Sequence, residues 1–329
     1  MSAPTETAAV PAPPWGRVLD TRGVLTLAGP DRVPFLQGLV SNDVTRAGPD
    51  RALFAALLTP QGKMLFDLML VGVSGAGDGD GLLLVEAEAA RLDELRARLS
   101  KYRLRSKVTL TGVGVGAVGW VVAVVFGEGA LAALDLPAEA GAARALPGGG
   151  VAFVDPRLTA AGARLILPGD RARRVLEDLG ARPAESAVWE RHRLALGLPE
   201  GAPDIGVEKS LPLECGLEEL AGVDFRKGCY MGQELTARTK YRGLLKRRLM
   251  PVEVSGPLPA PGAPLTTAAG KDAGEMRSGV ALDAASGLGL AIVRLEALAD
   301  GRPLEAGAAR LTPRVPDWMV LPEPSGVTG

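Results

Sequence analysis

The sequence predicts an α+β fold with antiparallel sheets, followed by a small all-β unit. Three observations lead there. Apolar segments at 53–58 and 63–73 flank Thr59-Pro60-Gln61-Gly62, which is a hairpin signal. A strand, a helix and a further strand follow that hairpin, an order that does not build a doubly wound parallel sheet. After Lys246 the pattern changes to short strands between Pro and Gly turns.

Taken in order, residues 1–14 carry Pro4, Pro11, Pro13 and Pro14 among small polar residues and read as a disordered tail. The fold is expected to begin near Trp15, with a strand at 24–27. Asp31 is expected to cap a short helix through Phe35, Leu36 and Leu39, which runs into Ser41-Asn42-Asp43. Asp67 lies inside the second hairpin strand, where a carboxylate is costly unless paired. Residues 75–81 read as a loop, 82–85 as a strand and 87–99 as a helix with Leu92, Leu95 and Leu99 at helical spacing. A strand follows from Lys107. A second set recurs, with strands near 120–126, 151–154 and 164–167 and a helix at 171–179. Another helix at 186–196 leads into the Gly197-Leu198-Pro199 turn. The domain division read from this order is 15–245 and 246–329.

Composition narrows the classes. The chain has 329 residues, 47% of them hydrophobic and 23% charged, as in a soluble globular protein. A formal charge of −1 gives no basis for wholesale nucleic-acid binding. The longest apolar run, 113–126, is broken by glycines and falls short of the roughly 20 residues of a spanning helix, so no membrane partner is expected. Two cysteines cannot make a disulfide framework and no leader is recognised, so a reducing cytoplasm is the expected compartment.

The stretch that points to chemistry is 227–234, KGCYMGQE. Cys229 stands between Gly228 and Gly232, which permit close approach, and follows Lys227, whose charge would favour a thiolate. The run from Gln233 to Arg238 reads as the start of a helix whose N-terminus adds to that effect. Against this stands the ordinary role of cysteine as a small buried hydrophobe. Cys215, with apolar neighbours, is assigned that role. The two cysteines form no CxxC pair, and one chain alone cannot supply the four thiolates of an iron–sulfur cluster.

His192 is the sole histidine, which removes histidine-rich metal sites, and no metal is expected. Its charged neighbours Glu190, Arg191 and Arg193 suggest an exposed helix face. Between residues 226 and 248 the basic residues Arg226, Lys227, Arg238, Lys240, Arg242, Lys246, Arg247 and Arg248 stand against Glu234 alone. That strip suits a carboxylate-rich ligand, a phosphate backbone or an acidic protein, or it is a solvated surface with counter-charges from elsewhere. The glycine-rich runs at 75–81 and 112–119 match no phosphate-binding loop.

Several segments together resemble the YgfZ-like folate-binding proteins, relatives of the glycine-cleavage T-protein (aminomethyltransferase). They are 31–44 (DRVPFLQGLVSNDV), 59–67 (TPQGKMLFD), 101–107 (KYRLRSK), 193–199 and 211–238, with KGCYMGQE as the signature. The resemblance implies a T-protein-like fold of α+β subdomains around a central channel, with a C-terminal β-barrel. It implies tetrahydrofolate or a derivative as cofactor, with Asn42, Asp43 and Asp67 lining the channel and Tyr230, Gln233, Glu234 and Arg238 contributing contacts. Lys227 and Cys229 are the implied reactive pair. Two departures from the T-protein pattern count against aminomethyl transfer: Phe66-Asp67 replaces a pair of aspartates, and Ala195 stands where a pterin-binding glutamate is expected.

The function implied is that of a folate-binding accessory factor for assembly or repair of iron–sulfur clusters in client enzymes, with those clients or assembly proteins as partners. Two alternatives remain open. One is a folate-dependent one-carbon transferase with Asp67 indispensable. The other is a tRNA-binding or tRNA-modification factor using the Arg238 to Arg248 strip.

Overall fold

The computed structural model describes residue 12 and residues 14–74, 81–112, 119–299 and 301–322. The expected tail and both glycine-rich runs lie almost wholly outside these. The chain opens with β1 (Trp15–Leu19), β2 (Arg22–Ala28), α1 (Arg32–Gln37), β3 (Ala52–Leu58), β4 (Met64–Val73), β5 (Leu82–Glu88), α2 (Leu92–Tyr102) and β6 (Thr109–Gly112). It continues through β7 (Trp120–Phe126), α3 (Ala130–Ala133), β8 (Ala143–Ala145), β9 (Val151–Val154), β10 (Ala163–Pro168), α4 (Ala172–Asp178) and β11 (Arg182–Pro183). Three helices follow, α5 (Ser186–Ala195), α6 (Gly201–Ile205) and α7 (Gln233–Tyr241). The last strands are β12 (Arg247–Ser255), β13 (Pro264–Thr266), β14 (Asp272–Ala281), β15 (Ser286–Arg294), β16 (Leu304–Ala306) and β17 (Ala309–Pro313).

These strands make two open sheets and a barrel. The first sheet has the order β3-β4-β5-β2-β6 and is antiparallel throughout. The second has the order β11-β1-β7-β10-β9-β8, with β1 and β11 as its parallel pair. β1 and β2 are joined by a tight turn yet belong to different sheets, which ties the two together.

Period-2 alternation explains the layering. On the first sheet, Leu25, Leu27, Leu53, Leu57, Leu68 and Leu70 bury against α1 and α2. The opposite face, with Val24, Phe54, Met69 and Leu84, packs onto Val122, Val124, Phe126, Phe153 and Ile166 of the second sheet. The far side of the second sheet buries Val121, Ala123, Leu165 and Leu167 beneath the region of α3 and α4. Layers therefore run helices, sheet, sheet, helices. Asp67 falls in the β4 alternation on the side of Met69, so it points between the two sheets.

The expected all-β unit is a closed six-stranded barrel, β12-β15-β14-β13-β16-β17. Its interior holds Met250, Val252, Leu265, Met276, Ala291 and Leu311. Leu194 of α5 packs on the outside of β12 and β15 through Leu249, Leu290 and Ile292. Trp318 Nε1 donates to Leu196 O at 2.8 Å and fastens the segment after β17 to the end of that helix.

Two expected elements differ. The helix predicted over 87–99 begins at Leu92, because Ala87 completes the inward alternation of β5 and a single 3-10 turn at Ala89–Arg91 intervenes. Asp31 does not cap α1 with its side chain; its carboxylate accepts from Lys107 N at 2.6 Å and fastens the α2–β6 connection instead. Among the described residues no helix is long and apolar enough to cross a membrane.

Candidate functional site

The KGCYMGQE segment is a loop leading into α7, and the structure pins it at both ends. At the first end Asp224 Oδ1 accepts from Arg226 N at 2.7 Å and Lys227 N at 3.2 Å. Lys227 turns inward and donates Nζ to the carbonyls of Gln37 (2.8 Å), the last residue of α1, and of Val40 (2.6 Å) and Asn42 (2.6 Å) just beyond it. A helix end leaves carbonyls without intrahelical partners, and an ammonium with three donors answers them. Burial pushes the Lys227 pKa down to about 8, opposed by Asp43 and Asp224. Lys227 is an anchor of the loop, with its ammonium given to these carbonyls.

At the second end Gly232 adopts φ +80 as the residue before α7. A Cβ there would collide with Thr59 O of the β3–β4 turn. Gly228 differs from the expectation placed on it: its φ is not positive, and a Cβ would meet nothing within 4 Å. Open space thus flanks Cys229, which is exposed. Tyr230 next to it is buried, with Lys227 Nζ 5.2 Å from its ring centroid, and burial pushes its hydroxyl up to about 12. Gln233 Oε1 accepts from Tyr230 N at 3.2 Å, while Glu234 and Arg238 are exposed on α7. The loop therefore presents one thiol to solvent from a fixed base.

Asn42 and Asp43 brace this base. Asn42 Nδ2 donates to Phe54 O and Ala221 O, both at 2.7 Å, and its Oδ1 accepts from Asp43 N. The Asp43 carboxylate accepts from Thr45 and from Gln37 Nε2, and the Thr45 hydroxyl above all holds it below the usual carboxylate range. A cleft of about 480 Å³ beside the loop is lined by Asn42, Arg46, Phe54, Phe225, Arg226 and Lys240, among others.

Asp67 belongs to a different cluster. Its Oδ2 accepts from Arg22 Nη1 at 2.9 Å, and Arg22 Nε reaches Glu86 at 2.9 Å. Arg164 from the facing sheet binds the same Glu86 oxygen and also Asp155 and Glu200. Burial alone would raise Asp155; Arg157 and then Arg164 outweigh it and hold the carboxyl at about 2. Arg193 pairs with Asp204 at 2.7 Å, and Ser278 of the barrel donates to Asp204. This network joins both sheets, α5, α6 and the barrel. Sequence reasoning missed all of it except Asp67. For Arg22, Glu86 and Arg164 the available signal was the same, since they too are charged residues in apolar strands, whereas Asp155, Glu200, Arg193 and Asp204 lie in connections and helices and carry no such mark.

A second cavity, about 470 Å³, opens at the junction of these bodies, lined by Arg22, Glu88, Glu190, Arg193, Glu200 and Ser278, among others. Asn42, Asp43 and Asp67 do not line it. Asn42, Asp43 and Asp67 are each hydrogen-bonded within the protein, and Asn42 lines the cleft beside the loop instead.

The remaining expectations divide. Cys215 is buried, and burial followed by Glu214 pushes its thiol up to about 12. His192 does not lie on an exposed face; it stacks on Phe126 at 4.9 Å and burial lowers its pKa. The basic strip is partly consumed: Lys240 pairs with Glu218, Arg247 with Glu214 and Arg248 with Glu219, the last arginine being buried. Arg226, Arg238 and Arg242 remain exposed. Among the described residues no group of His, Cys, Asp and Glu is placed to hold a metal ion.

Comparison with known proteins agrees with this architecture. Residues 246–321 match the family described as CAF17, C-terminal beta-barrel domain. The glycine cleavage system aminomethyltransferase T from Bartonella henselae superposes with a TM-score of 0.73 at 18% identity, covering 93% of this chain and 86% of that one, and shares the fold. The mitochondrial iron-sulfur cluster assembly factor IBA57 of Homo sapiens is 36% identical over 91% of this chain and 84% of its own length. That of Mus musculus is 34% identical with the same coverage. The expected cytoplasmic location is overturned by these relatives, which are named as mitochondrial proteins. At this identity and coverage, the chain belongs to the IBA57 family of iron–sulfur cluster assembly factors, built on the aminomethyltransferase fold.

Proposed function

We propose that this chain serves iron–sulfur cluster assembly, as its relatives are named to do, and that Cys229 is the thiol through which it meets the cluster or its protein carrier. The observation that carries this reading is the exposure of Cys229 on a loop fixed by Lys227 and Gly232, while the other thiol is buried. A thiolate is a ligand for iron, and one thiolate from this chain leaves the remaining positions to a partner protein. The cluster is then cargo shared between two chains.

The test is complementation. In cells lacking the protein, the activities of cluster-dependent enzymes are measured after supplying wild type or Cys229→Ser. Failure of Cys229→Ser at unchanged thermal stability is the expected result. Full rescue by that variant would remove the thiol from the function.

A second reading concerns the junction cavity. Its volume, and the carboxylates of Glu88, Glu190 and Glu200 in its wall, suit a reduced folate whose aminopyrimidine edge donates hydrogen bonds. Such a ligand would supply one-carbon chemistry. Glu88 is the best placed acid, because Glu190 and Glu200 are paired with Arg193 and Arg164 at hydrogen-bond distance, whereas Glu88 among the described residues accepts only from Ala202 N and meets Arg91 at 3.8 Å.

A further inference from the structure

The connection between α2 and β6, residues 101–107, reads Lys-Tyr-Arg-Leu-Arg-Ser-Lys. Leu104 stands in it under two costs at once. Arg103 closes α2, and Leu104 follows with φ +40, the left-handed region where a helix ending favours glycine. It is also 89% exposed, the highest value for a large hydrophobic side chain among the described residues. Glycine would relieve both costs. No contact among the described residues rewards a leucine here, which points to a reward from outside the fold.

Its surroundings indicate what that is. Tyr102 is 43% exposed beside it, and Lys101, Arg103, Arg105 and Lys107 are all exposed without an ion-pair partner among the described residues. The base of the loop is held rigidly. Asp31 accepts from Lys107 N at 2.6 Å, Arg103 O accepts from Ser106 N at 2.7 Å, and Gly29 leaves no space for a Cβ against Lys107 O. Presentation of the tip therefore needs no further ordering.

We propose that residues 101–107 form a lipid-docking loop, in which Leu104 and Tyr102 enter the headgroup region of an anionic membrane while the four cations meet lipid phosphates. A projecting leucine needs an apolar phase, which a nucleic acid does not offer. Tyrosine favours the membrane–water boundary, and flanking cations add the electrostatic half of reversible interfacial binding. Each lysine or arginine near an anionic surface is worth about fivefold in affinity. With a formal net charge of −1 the whole chain adds no attraction, so the effect is local to this loop. The proposal goes beyond the cluster-assembly reading and does not depend on Cys229.

The experiment is cosedimentation of the full chain with vesicles of equal parts phosphatidylcholine and phosphatidylglycerol, and with vesicles of phosphatidylcholine alone. Wild type is expected to sediment with the mixed vesicles only, and to be released by salt. Leu104→Gly should be at least as heat-stable as wild type yet bind several-fold more weakly, and Arg103→Ala with Arg105→Ala should each cost about fivefold. Absence of wild-type binding would overturn the proposal and assign the loop to a protein partner. Leu104→Gly binding as wild type would overturn it equally.

Discussion

Gly62 and Gly232 are packed against each other so that neither has room for a side chain. A Cβ on Gly62 would lie 2.7 Å from Gly232 O, and one on Gly232 would lie 3.0 Å from Gly62 Cα. Both sit at positive φ, +77 and +80. The hairpin turn and the thiol loop are thereby locked together. Gly232→Ala should cost about 1–3 kcal/mol from backbone strain alone, with a further loss from the collision, and should reduce cluster-enzyme rescue. Gly228→Ala, where φ is ordinary and space is open, should leave the melting temperature unchanged. Equal stability of the two variants in thermal melts would contradict this account of the loop.

The two thiols should separate cleanly by reactivity. Cys229 is exposed, whereas Cys215 is buried with its thiol pushed up to about 12. Since the thiolate is the nucleophile, a disulfide reagent at pH 8 should modify one thiol in the folded protein and the second only after denaturant is added. Cys229→Ser should abolish the native-state reaction. Two reactive thiols without denaturant would place Cys215 outside the core.

His192 gives a pH dependence whose sign follows from its burial. Packed against Phe126, it has a pKa below the ordinary 6.5. The unfolded chain therefore binds this proton more readily than the folded one, so the stability contributed by neutral His192 is complete above about 6.5 and is lost as pH falls below it. Because the chain has one histidine, its imidazole NMR signal reports this directly. The midpoint should lie below 6.5, and His192→Phe should flatten stability between pH 7 and 5 relative to wild type. A midpoint at or above 6.5 would show a solvated ring.

Much of the fold was legible because its signals are local. The hairpin turn at 59–62, the alternation of β7 and β9 and the change of pattern after Lys246 each lie within a few residues. Cys215 and Cys229 were sorted by their neighbours in the same way. What escaped depends on contacts between distant segments. Arg22 and Asp67 meet only when β2 and β4 share a sheet, and Arg164 joins them only when the second sheet folds over the first. His192 was misread because its charged neighbours point elsewhere on the helix, Arg193 itself being buried against Asp204. The three carbonyls that hold the Lys227 ammonium, at the end of α1 and just beyond it, are 185 to 190 residues away in sequence and left no mark near Cys229.

That distinction decides how the folate reading must be tested. Asp67→Ala is the obvious variant, but Asp67 is 2% exposed and bonded to an equally buried Arg22. Removing one member of a buried pair leaves the other uncompensated and typically costs about 3–5 kcal/mol. Lost tetrahydrofolate binding in that variant would therefore follow from a damaged core as readily as from a lost contact. Glu88→Gln is the better probe, since Glu88 lines the junction cavity, its hydrogen bond from Ala202 N at 2.9 Å survives with an amide oxygen, and Arg91, 3.8 Å away, keeps its closer partners Glu94 and Leu65 O. In calorimetric titration with tetrahydrofolate, wild type and Cys229→Ser should bind alike and Glu88→Gln about tenfold more weakly, the cost of one charged hydrogen bond, at unchanged melting temperature. Undiminished binding by Glu88→Gln would remove the ligand from this cavity, and no binding by wild type would leave the cluster-assembly reading standing on Cys229 alone.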